Sequence, residues 1–396
     1  MLQALNQHGK LQLLALMSPS EIIQHKIHSK FFCPTCKEHV LIKAGEKVTP
    51  HFAHHPKSEC PAKKGGEGEY HERGKLNLYY WLLRQGISAQ LEVFIGKIQQ
   101  RPDILVEINN KLIAIEFQCA KISANDVRKR STGYKNINIT PIWILGGNRL
   151  IRKGSNSLST NNFELLFLHQ FHNNYPPTIF FYCPSANQFS IFQHIVTTDT
   201  KWSHGNLKFK KLNDLTFYQL FKRENPNNQQ LLSDWKLVKF NFRTRVSPHP
   251  TKLEMKWREW LYLKNIHPSL LPSVVHLPVP SQFMMLSPPP VWQSKICIEV
   301  INNSNRSFTT NLCYSLLKAD KKPQSFYPLI NGLNDPIKEY LLLLVKLQYL
   351  KQVNPTTFHV IKKPKSHHSI EYAIEQDEQL INSLLNGFKP STNMHV

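Results

Sequence analysis

Acidic residues are scarce in this chain. It holds 27 Asp and Glu against 49 Lys and Arg, a formal net charge of +22 over 396 residues. The excess is not a tail. Residues 1–150 carry 21 basic and 12 acidic residues, and the remainder carries 28 and 15. Positive charge spread over the whole surface favours a polyanionic partner, nucleic acid above all. Long apolar runs are missing too. The most apolar stretch, YLLLLVKLQY at Tyr340 to Tyr349, is too short to span a bilayer and contains Lys346. The N-terminal MLQALNQHGKLQLLALM lacks the uninterrupted apolar core of a signal peptide. A disulfide framework is also absent. Three of the seven cysteines cluster early, and Cys119, Cys183, Cys297 and Cys313 are scattered. Such usage suits a reducing compartment. The expectation is a soluble, cytoplasmic protein with no membrane span. No internal repeat is visible. With 41% hydrophobic residues the chain can bury real cores, and its length allows two or three domains.

What is present begins with FFCPTCKEHVLIKAGEKVTPHFAHHPKSEC at residues 31–60. Cys33 and Cys36 form a Cys-x2-Cys knuckle whose two thiolates can reach one ion. A hairpin from Val40 to Phe52 would bring His51, His54, His55 and Cys60 back to it. Tetrahedral zinc needs four ligands, and Cys33, Cys36, His54 and Cys60 are the chosen set, with His51 in reserve. So short a segment has little core without a metal.

After the linker PAKKGGEG, residues 69–86 read as a helix with an apolar stripe of Leu78, Trp81 and Leu82. Glu67, His71 and Lys75 are spaced by four and share one face if the helix starts early. Gly74 in mid-helix costs about 1 kcal/mol against Ala, which points to the close approach of another element. Residues 88–96 look like a first strand. Its Glu92 is either a further acid facing the site or an outward charge. Then comes RPDILVEINNKLIAIEFQ, Arg101 to Gln118, two strands joined by a turn at Asn109-Asn110. Asp103 stands at the mouth of the first strand and Glu116 near the end of the second. Paired strands lie only about 5 Å apart, so the hairpin can bring the two acids together. Neighbouring carboxylates repel unless something positive sits between them, and a hard cation such as Mg²⁺ or Mn²⁺ is the usual answer. Gln118 is two residues beyond Glu116 and points to the same side. A helix follows from Ala124 with Ser123 as N-cap. Its Arg128, Lys129 and Arg130 are well placed for phosphates. Tyr134 can pack or orient a phosphate, and Lys121 can swing toward the acids. Ile142 to Leu145 is the fourth strand.

Beyond residue 150 no catalytic constellation is visible. Residues 176–196 read as a hairpin. Thr251 to Leu263, Ile337 to Lys351 and Ile370 to Leu385 read as helices. Leu270 to Trp292 is proline-rich and reads as a boundary or connector. Lys362, Lys363 and Lys365 read as solvated.

The run RPDI, then IEFQ, then WIL resembles the metallonuclease core of the PD-(D/E)xK superfamily, and within it the CoiA competence proteins. The H-x2-GK piece at His71 to Lys75 and the HFAH segment followed by Cys60 share that resemblance. It implies an α/β fold in three parts: an N-terminal zinc-ribbon-like hairpin, a restriction-endonuclease-like core, and a mixed α+β C-terminal region. The boundaries expected are 1–62, 63–150, 151–270 and 271–396, the last a proline-rich connector and helical region. It further implies Asp103 and Glu116 as ligands of catalytic Mg²⁺ or Mn²⁺, and a helix carboxylate, with Glu67 chosen and Glu69 or Glu72 as alternatives. Gln118 stands where the superfamily has lysine. It can orient a water but has no proton-transfer role. His71, Lys75, Lys121, Arg128, Lys129 and Arg130 are the residues expected to contact nucleic acid. The implied function is processing of incoming DNA in natural transformation by a metal-dependent nuclease. The implied partners are DNA and proteins of recombination or DNA uptake. The alternatives are a non-catalytic DNA-binding or recombination accessory protein, and a restriction-type endonuclease.

Overall fold

The computed structural model describes residues 1–14, 17–45, 48–60, 68–199, 201–245 and 249–386. The N-terminal part is a five-stranded antiparallel sheet, order β2-β1-β3-β4-β5. It is formed by β1 (Gln3–Asn6), β2 (Leu11–Leu13), β3 (Phe31–Phe32), β4 (His39–Gly45) and β5 (Val48–His54). Helix α1 (Pro19–His28) interrupts the strands, started by a capping box in which Ser18 and Glu21 satisfy each other's backbone N–H. Ala4, Ile22, Phe31, Val40, Ile42 and Phe52 pack into a small core around Cys33 and Cys60.

The second sheet carries the carboxylates. It has eight strands, order β10-β13-β12-β11-β9-β8-β7-β6. The elements are α2 (Glu69–Leu83), β6 (Ser88–Leu91), β7 (Ile104–Ile108), β8 (Lys111–Gln118), α3 (Ala124–Asn136), β9 (Ile139–Gly146), β10 (Ser157–Ser159), β11 (Thr178–Cys183), β12 (Gln188–Thr197) and β13 (Trp202–Lys211). Strands β8, β9 and β11 run parallel, and the remaining pairings are antiparallel. The β7–β8 turn has positive φ at both Asn109 (49°) and Asn110 (60°), the two-residue hairpin turn that Asn tolerates. Helix α2 covers one face, where Leu78, Trp81 and Leu82 meet Ile104, Ile115, Phe117 and Ile144. Helix α3 covers the other, where Val127 meets Trp143 and Leu145. Ser123 caps α3 by accepting from the N–H of Asp126. An added Cβ at Gly74 would overlap the Phe117 ring, so the absence of a side chain there lets α2 lie close on β8.

The boundary expected at residue 150 cuts through this sheet. Strand β11 pairs in parallel with β9, and β10 to β13 extend the same sheet to Lys211. The first core strand is shorter than expected, and the fourth runs from Ile139 rather than Ile142.

The remaining chain forms α4 (Asn228–Thr244), α5 (Lys252–Tyr262), α6 (Pro289–Lys295), β14 (Ser307–Thr309), α7 (Thr310–Leu316), α8 (Pro336–Lys346), β15 (Leu350–Asn354), β16 (Thr357–Val360) and α9 (Ile370–Asn386). One core joins residues from Leu232 to Leu384. It corrects the reading of the proline-rich stretch as a connector and removes the boundary at 270, because Leu271, Val274, Val275, Leu277 and Val279 lie at its centre. At its middle, Arg243 grips Asp377 with two hydrogen bonds of 2.9 Å, and Lys239 Nζ lies 3.2 Å from the same carboxylate. No described helix is long and apolar enough to cross a membrane.

Candidate metal centre and carboxylate site

Two constellations stand out. In the first, the knuckle turn after β3 is closed by the Cys33 N–H donating to the Glu38 carbonyl and by Lys37 at φ 62°. Register pairing of Val40 with His54 returns the histidine to the knuckle. Cys33 Sγ lies 3.9 Å from Cys60 Sγ, and Cys36 Sγ lies 3.4 Å from His54 Nε2. All four ligand atoms lie within 4.8 Å of one another. Ligands at ordinary Zn–S and Zn–N lengths around a tetrahedral ion sit about 3.5–3.8 Å apart, so the donor set and its spacing fit structural zinc. His51 pairs with Lys43 and is outside the group.

In the second, Ile104 opposes Ile115, which sets Asp103 across from Glu116 at one end of the sheet. Both are buried, at 3% and 2% exposure. The Phe117 N–H donates to Asp103 Oδ2 at 2.9 Å, and His71 Nε2 lies 3.4 Å from the same oxygen. His71 is held there by stacking on the Phe117 ring, centroids 5.7 Å apart and planes 11° apart. On the α3 side, Tyr134 donates its hydroxyl to Glu116 Oε1 at 2.5 Å, and Arg130 Nη2 forms an ion pair with the same oxygen. That nitrogen also donates to the Arg101 carbonyl at 3.1 Å. Burial alone would lower the Arg130 pKa, but the Glu116 charge outweighs it, and the guanidinium stays charged. Burial and the Glu116 charge both raise Tyr134, so its hydroxyl stays a donor. Gln118 Nε2 donates to the Ala120 carbonyl at 2.7 Å. Two carboxylates and adjacent backbone carbonyls are hard oxygen donors of the kind Mg²⁺ or Mn²⁺ takes. Arg130 already gives Glu116 one counter-charge.

Other expected site residues fall differently. Lys75 is a correction. It is fully buried, with Nζ 2.6 Å from Glu92 and 3.2 Å from Glu72, so it braces α2 and does not meet nucleic acid. Glu92 is neither an outward charge nor a site acid, since it also accepts from the Leu2 N–H at 2.9 Å. Lys121 and Lys129 are exposed near the carboxylates' end of the sheet. Arg128 is half-buried, its guanidinium 4.8 Å from the Phe326 ring centroid. Glu67 lies outside the described residues. The part of Arg130 and Tyr134 in holding Glu116 was not read from the sequence, although their i,i+4 spacing on α3 places both on one face.

The sheet flanked by two helices, with buried acids at one end and a Cys3His group in front, defines a mixed α/β protein with a metal-binding-capable cluster. Comparison with known families narrows this. Residues 14–63 match the family described as "Competence protein CoiA, N-terminal domain". Residues 67–225 match "Competence protein CoiA, nuclease-like domain", and residues 232–374 match its "C-terminal domain". The chain is 29% identical over 355 residues to "Competence protein CoiA" of Bacillus subtilis (strain 168), covering 88% of this chain and 94% of the relative. It is a CoiA-family protein. No solved structure matches it.

Proposed function

We propose that this chain is a divalent-metal-dependent deoxyribonuclease acting in the cytoplasm on DNA that enters the cell during natural transformation. The observation that carries the reading is the cross-strand pair Asp103 and Glu116, two buried carboxylates meeting at one end of a basic protein's sheet. The nuclease-like description of the matched family and the competence name of the relative support it.

A Mg²⁺ or Mn²⁺ held by Asp103 and Glu116 would supply an acidified water and balance charge on the scissile phosphate. The chain's own residues do the rest. Phe117 N–H and His71 fix the Asp103 carboxylate, and Tyr134 fixes Glu116. Arg130 stands ready to pair with a phosphate oxygen in place of Glu116. Gln118 orients the attacking water by hydrogen bonds. Lys121 and Lys129 hold the backbone of the substrate. The Cys33, Cys36, His54 and Cys60 group holds structural zinc, separate from the chemistry.

A second reading is a DNA-binding recombination accessory protein that does not cleave. Two observations favour it: the Arg130–Glu116 ion pair, and the Gln118 amide turned to the Ala120 carbonyl.

The test is cleavage of labelled single- and double-stranded DNA with Mg²⁺ or Mn²⁺ and with chelator, beside Asp103→Asn. Cleavage that needs both the metal and Asp103 supports the nuclease. Tight binding without cleavage, unchanged by Asp103→Asn, selects the accessory protein.

A further inference from the structure

The register of the large sheet links the carboxylates to a distant basic patch. Gln118 pairs with Leu145 on β9. Leu145 pairs with Phe181 on β11, Phe181 with Ser190 on β12, and Ser190 with Phe209 on β13. Registered partners point to the same side of a sheet, so Glu116, Gln118, Phe209 and Lys211 share the α3 face. They also share one end of the sheet, because β13 runs in the same direction as β8, β9 and β11. Ligands of open α/β sheets bind outside the carboxyl ends of such strands. From β8 to β13 there are four strand spacings, about 19 Å along the sheet.

The chemistry at the far end is distinct. Phe209 leaves 37% of its surface exposed, and the Arg152 guanidinium lies 5.1 Å from its ring centroid. Arg152, Lys210 and Lys211 are exposed, and none is in an ion pair among the described residues. Strand β10 pairs with β13 only from Trp202 to His204. Lysines commonly guard such an open edge. That role accounts for Lys210 and Lys211, but not for an exposed aromatic ring covered by an arginine. An aromatic face with a stacked arginine and flanking lysines is the means by which proteins hold an unpaired strand without reading its sequence.

We propose that Arg152, Phe209 and Lys211 form a second platform for single-stranded DNA, holding the strand whose phosphates reach the carboxylate site. A base stacks at Phe209 and Arg152, and Lys211 takes a phosphate. The proposal rests on the nuclease reading only for the identity of the strand; the platform itself is a binding surface.

The experiment measures binding of the full chain to fluorescein-labelled single strands of 4 to 30 nucleotides, in chelator, over a range of salt. The variants are Arg152→Gln/Lys211→Gln and Phe209→Ala. Lys10→Gln/Lys111→Gln removes the same charge elsewhere. For long strands, Arg152→Gln/Lys211→Gln is expected to weaken binding at least tenfold. Its log–log salt slope should shrink by about 1.4, since each single-strand phosphate contact contributes about 0.7. Phe209→Ala should weaken binding with the slope unchanged. Strands too short to span the two sites should bind all proteins alike. Equal losses in the Lys10→Gln/Lys111→Gln control, or wild-type binding of long strands by Arg152→Gln/Lys211→Gln, overturn the platform. So does a loss confined to duplex DNA. Because chelator suppresses cleavage, a platform that binds as expected in a protein that never cleaves refutes the nuclease reading alone.

Discussion

Tyr134 donates its hydroxyl to Glu116 across 2.5 Å, from a ring that is completely buried. The contact ties α3 to the end of β8. The hydroxyl cannot act as a base there, since burial and the Glu116 charge keep it protonated. Its work is to hold the carboxylate. Tyr134→Phe keeps the ring and removes the donor. Hydrogen bonds to charged groups are worth about 1.5–3 kcal/mol, so denaturant unfolding should show a loss in that range. An unfolding free energy equal to wild type would mean that Arg130 alone holds Glu116.

The Cys3His group should hold one zinc per purified chain. Cys33→Ser/Cys36→Ser removes two of four ligands and should release it, as read by elemental analysis. The small sheet around it has a core of only a few apolar side chains, so protease cleavage between residues 31 and 60 should speed up in that variant. Protein purified without zinc, equally resistant to protease, would contradict the assignment.

Asp377 is held charged by Lys239 and Arg243, which lower its pKa from 3.8 although burial pushes it up. A carboxylate depressed in the folded state stabilises fully above its unfolded pKa. That share is lost as pH falls through the lower, folded value. Asp377→Asn should therefore be less stable than wild type at pH 7, and the gap should narrow as acid is added below pH 4. Thermal melts of both proteins across that range check it. A constant gap would assign the effect to shape rather than charge.

Local chemistry was legible where a residue type has one structural use. Asn109 and Asn110 form the turn that two positive φ angles require, Ser123 caps α3, and Gly74 marks the approach of Phe117. The zinc ligands followed from spacing, because a two-residue knuckle and a hairpin leave few ways for four donors to meet. What escaped depends on contacts distant in sequence. Lys75 resembles any helix lysine until Glu92, 17 residues on, is seen to bury it. The prolines between Leu270 and Trp292 suggested a linker. Proline lacks only the N–H, however, and a segment that needs no ladder bonds can run through a core, as Val274 and Leu277 do. The sheet's continuation past residue 150 was hidden because the polar segment after β9 has no periodicity, although β11 returns beside it.

Phe117 serves two masters. Its N–H fixes Asp103, while its ring fills the space left open at Gly74 and supports His71. A position of this kind cannot drift in size as an ordinary core residue does. Any bulk added at 74 must be matched by bulk removed at 117, and the removal would take away the shelf under His71. The two sites are therefore expected to change together in descendants of this chain or not at all, and a lineage that loses the aromatic ring at 117 should be one that has also relinquished the carboxylate pair.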